Sequence, residues 1–259
     1  MTVALCATFA ARAEAKESRN IIQNDSVAIQ QIEVVATRAK SNTPIAHSNL
    51  SREEIEERNY GEDIPSLLSH LPSVVISSES GTGIGSTSFR VRGTDATRIN
   101  VTLNGVPMND AETHSVYWYD TPDLVSSLGS VQLQRGVGTS TAGTGAFGAS
   151  LNMTSAPMAS KFSGRASLSY GSFNTAKQEI ALSSGLLGGH WAIDGRLSHL
   201  SSDGYVERAS SNLSSYMLQA GYYKGNTMVK LLSFGGVAKV YLAHTGLSAE
   251  QMAENRRYN

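Results

Sequence analysis

Hydrophobic and polar residues alternate along this chain in two rhythms, and the change falls near Pro157. In the first part, short apolar runs are separated by turns and by stretches with helical spacing. Phe89 and Val91 alternate with Arg90 and Arg92 until Gly93 breaks the run. Ile99, Val101 and Leu103 alternate with Asn100 and Thr102, which predicts a half-buried strand. Asn104-Gly105 tolerates positive φ, so a tight hairpin should turn the chain back into Val106-Pro107-Met108. Upstream, Ser51-Arg52-Glu53-Glu54 is a capping box and predicts a short helix ending near Asn59 and Gly61. Ile64, Leu67, Leu68 and Leu71 share a helical face, with Pro65 in the first turn and Pro72 as the stop. Val74-Val75-Ile76 reads as a short buried strand, and Glu79 to Ser88 as a Gly/Ser-rich loop. Thr121-Pro122-Asp123 predicts a further helix capped by Thr121, with Leu124, Val125 and Leu128 inward. Strands follow at Val131–Leu133 and Leu151–Met153. Residues 29–157 thus read as an α+β domain, a small mixed sheet with short helices.

After Pro157 the rhythm is a long dyad alternation. Ala166, Leu168 and Tyr170 oppose Arg165, Ser167 and Ser169; Ile180 and Leu182 oppose Glu179 and Ala181. Trp191, Ile193 and Leu197 oppose His190, Asp194, Arg196 and Ser198; Tyr216, Leu218, Ala220 and Tyr222 oppose Met217, Gln219 and Tyr223. Val229-Lys230-Leu231 and Val240-Tyr241-Leu242 are less regular. Segments of roughly ten residues with this alternation are the pattern of transmembrane β-barrel strands, although a water-soluble sandwich alternates in the same way. Residues 158–259 offer about six such segments.

Composition adds the compartment. The formal net charge is −1 and 17% of residues are charged, which gives no electrostatic footprint for nucleic acid. Cys6 is the single cysteine, so there is no disulfide framework. Val3 to Ala11 is apolar and runs into Ala11-Arg12-Ala13, a small-x-small site, so residues 1–28 read as a signal-peptide remnant and a polar, flexible tail. A lipoprotein reading of Cys6 is opposed by bulky Leu5 directly before it. No apolar run is long enough for a membrane-spanning helix, so contact with a membrane would be made by strands. Ile32-Glu33-Val34-Val35-Ala36 is an isolated extended segment. It is either the first strand of the domain or an exposed peptide that adds to a partner's sheet edge.

Four stretches in fixed order resemble the plug domain of a TonB-dependent outer-membrane receptor. They are Leu71-Pro72-Ser73-Val74, Phe89-Arg90-Val91-Arg92-Gly93, Val101-Thr102-Leu103-Asn104-Gly105-Val106-Pro107 and Val131-Gln132-Leu133-Gln134-Arg135-Gly136. Gly143 to Met153 is similar to that family's glycine-rich plug end. The resemblance implies a plug inside a barrel of about 22 strands, of which the first strands are present here, so the chain is expected to be an N-terminal part of such a receptor. It implies TonB-dependent uptake of a scarce ligand such as a ferric siderophore, haem or cobalamin, with TonB, outer-membrane lipid and a small-molecule or metal-chelate ligand as partners. The alternative is a ligand-sensing or adhesive module without transport, or a truncated product. Ile32, Glu33, Val34, Val35 and Ala36 sit where the family carries its TonB box. Gly83, Ile84, Asn109, His114, Tyr117 and Trp118 are the ligand-loop candidates. Arg90, Arg92, Arg98 and Arg135 are either solvated or paired with acids on a polar barrel wall.

Catalytic and cofactor patterns fail on context. Gly143-x-Gly145-x-x-Gly148 matches a dinucleotide fingerprint by letter, but a strand-like segment follows and no acid lies between Asp123 and Glu179. Gly138-Thr139-Ser140-Thr141-Ala142 lacks the second glycine of a nucleophile elbow. The six histidines are scattered without ligand spacing. No cofactor, metal or enzymatic activity is expected.

Overall fold

The computed structural model describes residues 38–138, 146–225 and 227–259, together with a two-residue strand β1 at Phe9–Ala10. The segments Ile32–Ala36 and Gly143–Gly145, and the remainder of residues 1–28, lie outside the described residues.

The first domain is built on a five-stranded sheet: β2 His47–Leu50, β5 Ile99–Leu103, β6 Val106–Pro107, β7 Leu128–Arg135 and β8 Ala149–Ser155, in the order β2-β7-β8-β5-β6. The β5–β8 pair is parallel and the other pairs are antiparallel. Alternation sorts its side chains cleanly. Leu50, Val131, Met153 and Leu103 form one cross-strand row, Leu133, Leu151 and Val101 another, and both rows belong to the hydrophobic core. That core is closed by Ile55 of α1 (Arg52–Arg58) and by Ile64, Leu67 and Leu68 of α2 (Ile64–Leu68). Burying each such side chain stabilises by about 1.5–3 kcal/mol.

The local signals act largely as expected. Ser51 and Glu54 make both bonds of the capping box on α1. Asn104 and Gly105 both take positive φ in the β5–β6 hairpin. A second hairpin pairs β3 (Val74–Ser78) with β4 (Thr87–Val91). Phe89 and Val91 are buried, as their alternation predicts, but β3 is not: Val75 is 66% exposed, because only one face of this two-stranded ribbon meets the core. The segment after Pro122 also differs. Leu124–Ser127 is a single 3₁₀ turn; Asp123, left-handed at φ 51°, precedes it without capping it. Thr121 instead ends the preceding 3₁₀ turn, Trp118–Asp120. The Asp123 carboxylate is bonded instead to Lys177 and Arg196 of the strands that follow.

Five long antiparallel strands follow: β9 Phe162–Gly171, β10 Thr175–Ser184, β11 Trp191–Ser202, β12 Ser211–Lys224 and β13 Thr227–Val240. Each pairs with the next, and β1 pairs with the free edge of β9. They form an open wall rather than a closed barrel. Leu168, Tyr170, Ile180, Leu182, Ile193, Leu197, Leu218 and Leu231 are exposed on its outer face. Trp191 and Tyr222 stack there near one end, with ring centroids 4.7 Å apart. The inner face is polar, with Lys177, Glu179, Arg196, Ser198, Ser215 and Gln219 buried against the first domain. A helix ends the described wall, α3 Ala249–Glu254. An apolar outer band with a polar inner face is the division of a transmembrane barrel and reverses that of a sandwich core.

Candidate functional site

The first domain meets the wall through charge. Asp123, 3% exposed, accepts from Lys177 Nζ at 2.7 Å through Oδ1 and from Arg196 Nη1 at 2.7 Å through Oδ2. Ser126 Oγ donates to Oδ1 at 2.6 Å, and Ser198 Oγ donates to Oδ2. Arg196 Nε donates to Ser127 Oγ at 2.6 Å. The left-handed backbone at Asp123, which Asp tolerates better than most residues, aims the carboxylate out of the domain. Burial alone would push its pKa up; Lys177 and Arg196 outweigh that and hold it below the ordinary carboxylate value. The stability from this pairing is therefore present above about pH 3.8 and is lost only as pH falls through the depressed value.

The same charges continue outward in alternating sign. Lys177 Nζ lies 3.4 Å from Glu179, Glu179 binds Arg165 at 2.8 Å, Arg165 reaches Glu56 at 3.3 Å, and Glu56 binds Arg52 at 2.7 Å. Three of these seven residues come from the first domain and four from β9, β10 and β11. A cleft of about 770 Å³ runs between α1, α2 and the strands, lined by Asn59, Glu62, His70, Arg165, Lys177 and Glu179. Lys230 Nζ donates to Ser155 Oγ at 2.7 Å where the first domain hands over to the wall. Close approach is also arranged by Gly236, where a Cβ would stand 3.0 Å from Pro122 and 2.4 Å from the Ser214 carbonyl.

Loop 79–86 is the second contact. Gly83 and Ile84 are buried, in contrast to the ligand-facing exposure expected of them. Ile84 is 1% exposed and packs with Leu200, Leu213 and Val240 of the wall. The Gly83 carbonyl accepts from the Asp63 N–H at 2.8 Å. The Ser80 carbonyl accepts from the backbone N–H groups of Tyr205 and Val206, in the link between β11 and β12. Glu79 Oε1 is 3.0 Å from His244 Nδ1. Beneath the loop, Asp63 accepts from Thr87 Oγ1 at 3.0 Å. Its burial, reinforced by Asp123 and Glu62, pushes its pKa up to about 7 against the Thr87 and Gly85 hydrogen bonds. A raised folded-state pKa means that stability falls as pH rises from 3.8 to about 7. Asp63→Asn is accordingly expected to stabilise the protein by a few kcal/mol near pH 8, a gain that shrinks toward pH 4; urea melts at the two pH values would show it.

The other expected site residues fall in different places. Asn109 holds the loop after β6, accepting from Val101 N–H at 2.8 Å and donating to the Ile99 and His114 carbonyls at 2.9 Å. His114 is exposed at φ 56°, Tyr117 is exposed beside Tyr119 at 5.7 Å, and Trp118 is buried against Phe89 at 6.1 Å. Arg135 bonds within its own domain, from Nε to the Pro72 carbonyl at 2.9 Å and from Nη2 to Ser48 Oγ. Arg90, Arg92 and Arg98 are exposed, and among the described residues none has a carboxylate within ion-pair distance. The plug-to-wall cations are supplied instead by the strands, and the acid between them by Asp123. The sequence singled out neither Lys177 nor the Asp123 carboxylate for this, because the partners are 54 and 73 positions apart. The available signal was a charge at each inward position of a dyad-alternating strand.

The TonB-dependent Receptor Plug Domain model matches residues 39–150. No curated protein matches the chain in sequence. Among solved structures, the unliganded ferric citrate transporter FecA is 17% identical with a TM-score of 0.67, covering 83% of this chain and 34% of that one. The copper transporter OprC is 16% identical with a TM-score of 0.64, covering 76% and 32%. The ferripyoverdine receptor of Pseudomonas aeruginosa, bound to ferripyoverdine, is 16% identical with a TM-score of 0.62, covering 74% and 25%. The chain thus spans about a quarter to a third of the length of these structures. Residues 39–150 match the plug domain of the TonB-dependent receptors, and the antiparallel strands that follow, with their polar inner face and apolar outer band, share the fold of these receptors' barrels.

Proposed function

We propose that the protein takes up a scarce ligand across the outer membrane in a TonB-dependent manner, the plug closing the lumen between transport events. The observation that carries this reading is the Asp123–Lys177–Arg196 triad: the plug is held to its wall by a buried but polar, hydrogen-bonded seam. Such a seam gives position without fusing plug and wall into one apolar core, so the plug can move. Loop 79–86 meets the wall beside the 203–210 link and the 241–259 segment. Longer links mark the outer side of such barrels. Ligand would therefore meet this end, with Asn109, His114 and Tyr117 near it. A ferric siderophore, haem, cobalamin or a similar metal chelate is the substrate class. Ile32–Ala36 would pair with TonB as an added strand. Arg90, Arg92 and Arg98 would face acids on further wall. The protein itself would catalyse no covalent step.

The test is uptake of radiolabelled ferric siderophore, haem and cobalamin, each supplied separately to cells expressing the gene with and without residues 30–37. Uptake lost on deletion with surface binding retained is the expected result. Equal uptake by both forms would refute TonB dependence, and binding without uptake by the intact form would favour a sensing or adhesive role.

A further inference from the structure

Loop 79–86 is joined to α2 through one acidic residue. The Asp63 N–H donates to the Gly83 carbonyl at 2.8 Å, and the Asp63 carboxylate accepts from the Gly85 N–H and, at the loop's exit, from Thr87 Oγ1 at 3.0 Å. Asp63 stands at the N-cap of α2 yet its side chain makes no capping bond, so the carboxylate turns from the helix to the loop. The residue is 4% exposed. Among the described residues no cation lies within ion-pair distance of it. The charged groups that bear on it are acids: Glu62 beside it in the chain, and Asp123, whose own charge is taken up by Lys177 and Arg196. His70 acts on Glu62, and on the loop Glu79 is paired with His244 at 3.0 Å. A buried carboxylate with no cation beside it and two acids nearby holds its proton more tightly than one in water.

We infer that Asp63 is a proton-operated clasp for loop 79–86: protonated, it keeps the loop seated between α2 and the wall, and ionised, it lets the loop lift into water. The neutral group still accepts hydrogen bonds and places no charge in a dry site. Loss of its proton puts a negative charge beside Glu62 and Asp123, and the site relieves that charge by admitting water. The loop is the part that can yield. Helix α2 is fixed in the main core through Ile64, Leu67 and Leu68, whereas the loop is held to the wall by Ile84 and the Ser80 carbonyl. Water has a route, since the cleft of about 770 Å³ is lined by Glu62, Ser66 and Gly83. The Asp63 pKa, pushed up by burial to about 7, sets the range: the clasp is fully closed below about pH 3.8, and its hold is lost as pH rises to about 7. The clasp stands on the docked loop alone. Its consequence, that protons outside the cell set how freely loop 79–86 can meet a ligand, rests on the proposed function.

The test is hydrogen exchange of the protein expressed from its own gene, free of ligand, with each amide rate divided by its intrinsic rate at the same pH. The reporters are the amides of residues 79–86 and the Tyr205 and Val206 N–H groups that donate to the Ser80 carbonyl. In the wild type their protection should fall roughly a hundredfold between pH 5 and pH 8, about tenfold over the first unit and levelling off above 7. The core strand Ile99–Leu103 should keep its protection. Asp63→Asn, which cannot ionise, should hold the loop protected throughout. Thr87→Val removes a donor to the ionised carboxylate, so the fall should remain and its midpoint should move to higher pH. A wild-type loop equally protected at both pH values would overturn the clasp. So would an equal fall in Asp63→Asn, an unmoved midpoint in Thr87→Val, or a fall shared by Ile99–Leu103, which would be global unfolding. The two proposals fail separately, because the exchange involves neither ligand nor TonB: full uptake with a pH-independent loop sinks the clasp alone, and a pH-dependent loop without uptake sinks only the transport reading.

Discussion

Asp123→Asn should unseat the plug. The substitution leaves Lys177 and Arg196 in place, each 7% exposed at its side chain, with no acid between them. Breaking a buried ion pair from one side costs about 3–5 kcal/mol, because the remaining charge is desolvated and unpaired. Here two cations remain, held close enough to share one carboxylate, and Glu179 at 3.4 Å from Lys177 serves only one of them. The expected readout is leak: cells carrying the variant become sensitive to large hydrophilic antibiotics that a seated plug excludes. Removing the two stranded cations as well, Lys177→Met and Arg196→Leu in the Asp123→Asn background, should recover much of the lost stability, since Asn keeps the left-handed backbone and an acceptor for Ser126 and Ser198. Asp123→Asn cells that stay as resistant as the wild type would show that the triad does not hold the plug.

Ile84→Asp is expected to detach loop 79–86 from the wall. Ile84 is the loop's anchor in a pocket formed by Leu200, Leu213 and Val240. A carboxylate cannot remain there unpaired, so the loop lifts, giving up the roughly 1.5–3 kcal/mol that burial of the isoleucine contributes. The Ser80 bonds to Tyr205 and Val206 would go with it. Limited proteolysis should then cut between residues 79 and 86, where the wild type resists. Ile84→Val, which keeps the shape and costs about 0.5–1.5 kcal/mol, should remain protected. Cleavage at equal rates in all three proteins would mean that the loop is not docked through Ile84.

The two domains were legible in the sequence because their signals are local. The capping box at Ser51, the Asn104-Gly105 turn and the dyad alternation of β9 to β12 each need only a few neighbouring residues, and the structure realises all of them. What was not legible depends on long separations. Arg196 reads as an ordinary polar position of an alternating strand and nothing local marks Lys177; only the fold brings Asp123 between them. Arg90 alternates with buried Phe89 and Val91 along β4 and needs only to point away from the core, and Arg92 lies in the turn that follows, left-handed at φ 52° and exposed. Val74-Val75-Ile76 misled for a related reason: an apolar run does not say how many of its faces are covered. Gly83 and Ile84 read as part of an exposed loop because glycine density marks turns. Here the glycine backbone lets the loop fit between α2 and the wall: a Cβ at Gly83 would stand 2.4 Å from Ser66 Oγ and one at Gly85 2.6 Å from Ser211 Oγ. The polar sheet face was visible as alternation in Val101-Thr102-Leu103 and Val131-Gln132-Leu133, but alternation alone reads as one solvated face, and only the register shows that face to be buried.

The central claim is that this plug closes a barrel lumen, and conductance tests it without knowledge of the ligand. The protein expressed from its own gene, placed in a planar bilayer, should be electrically silent. The same protein lacking residues 38–157, once its barrel is shown to be folded by a heat-dependent shift on a gel, should open large, stable conductance steps. Silence from that folded deletion variant, or equal conductance from both proteins, would contradict the account.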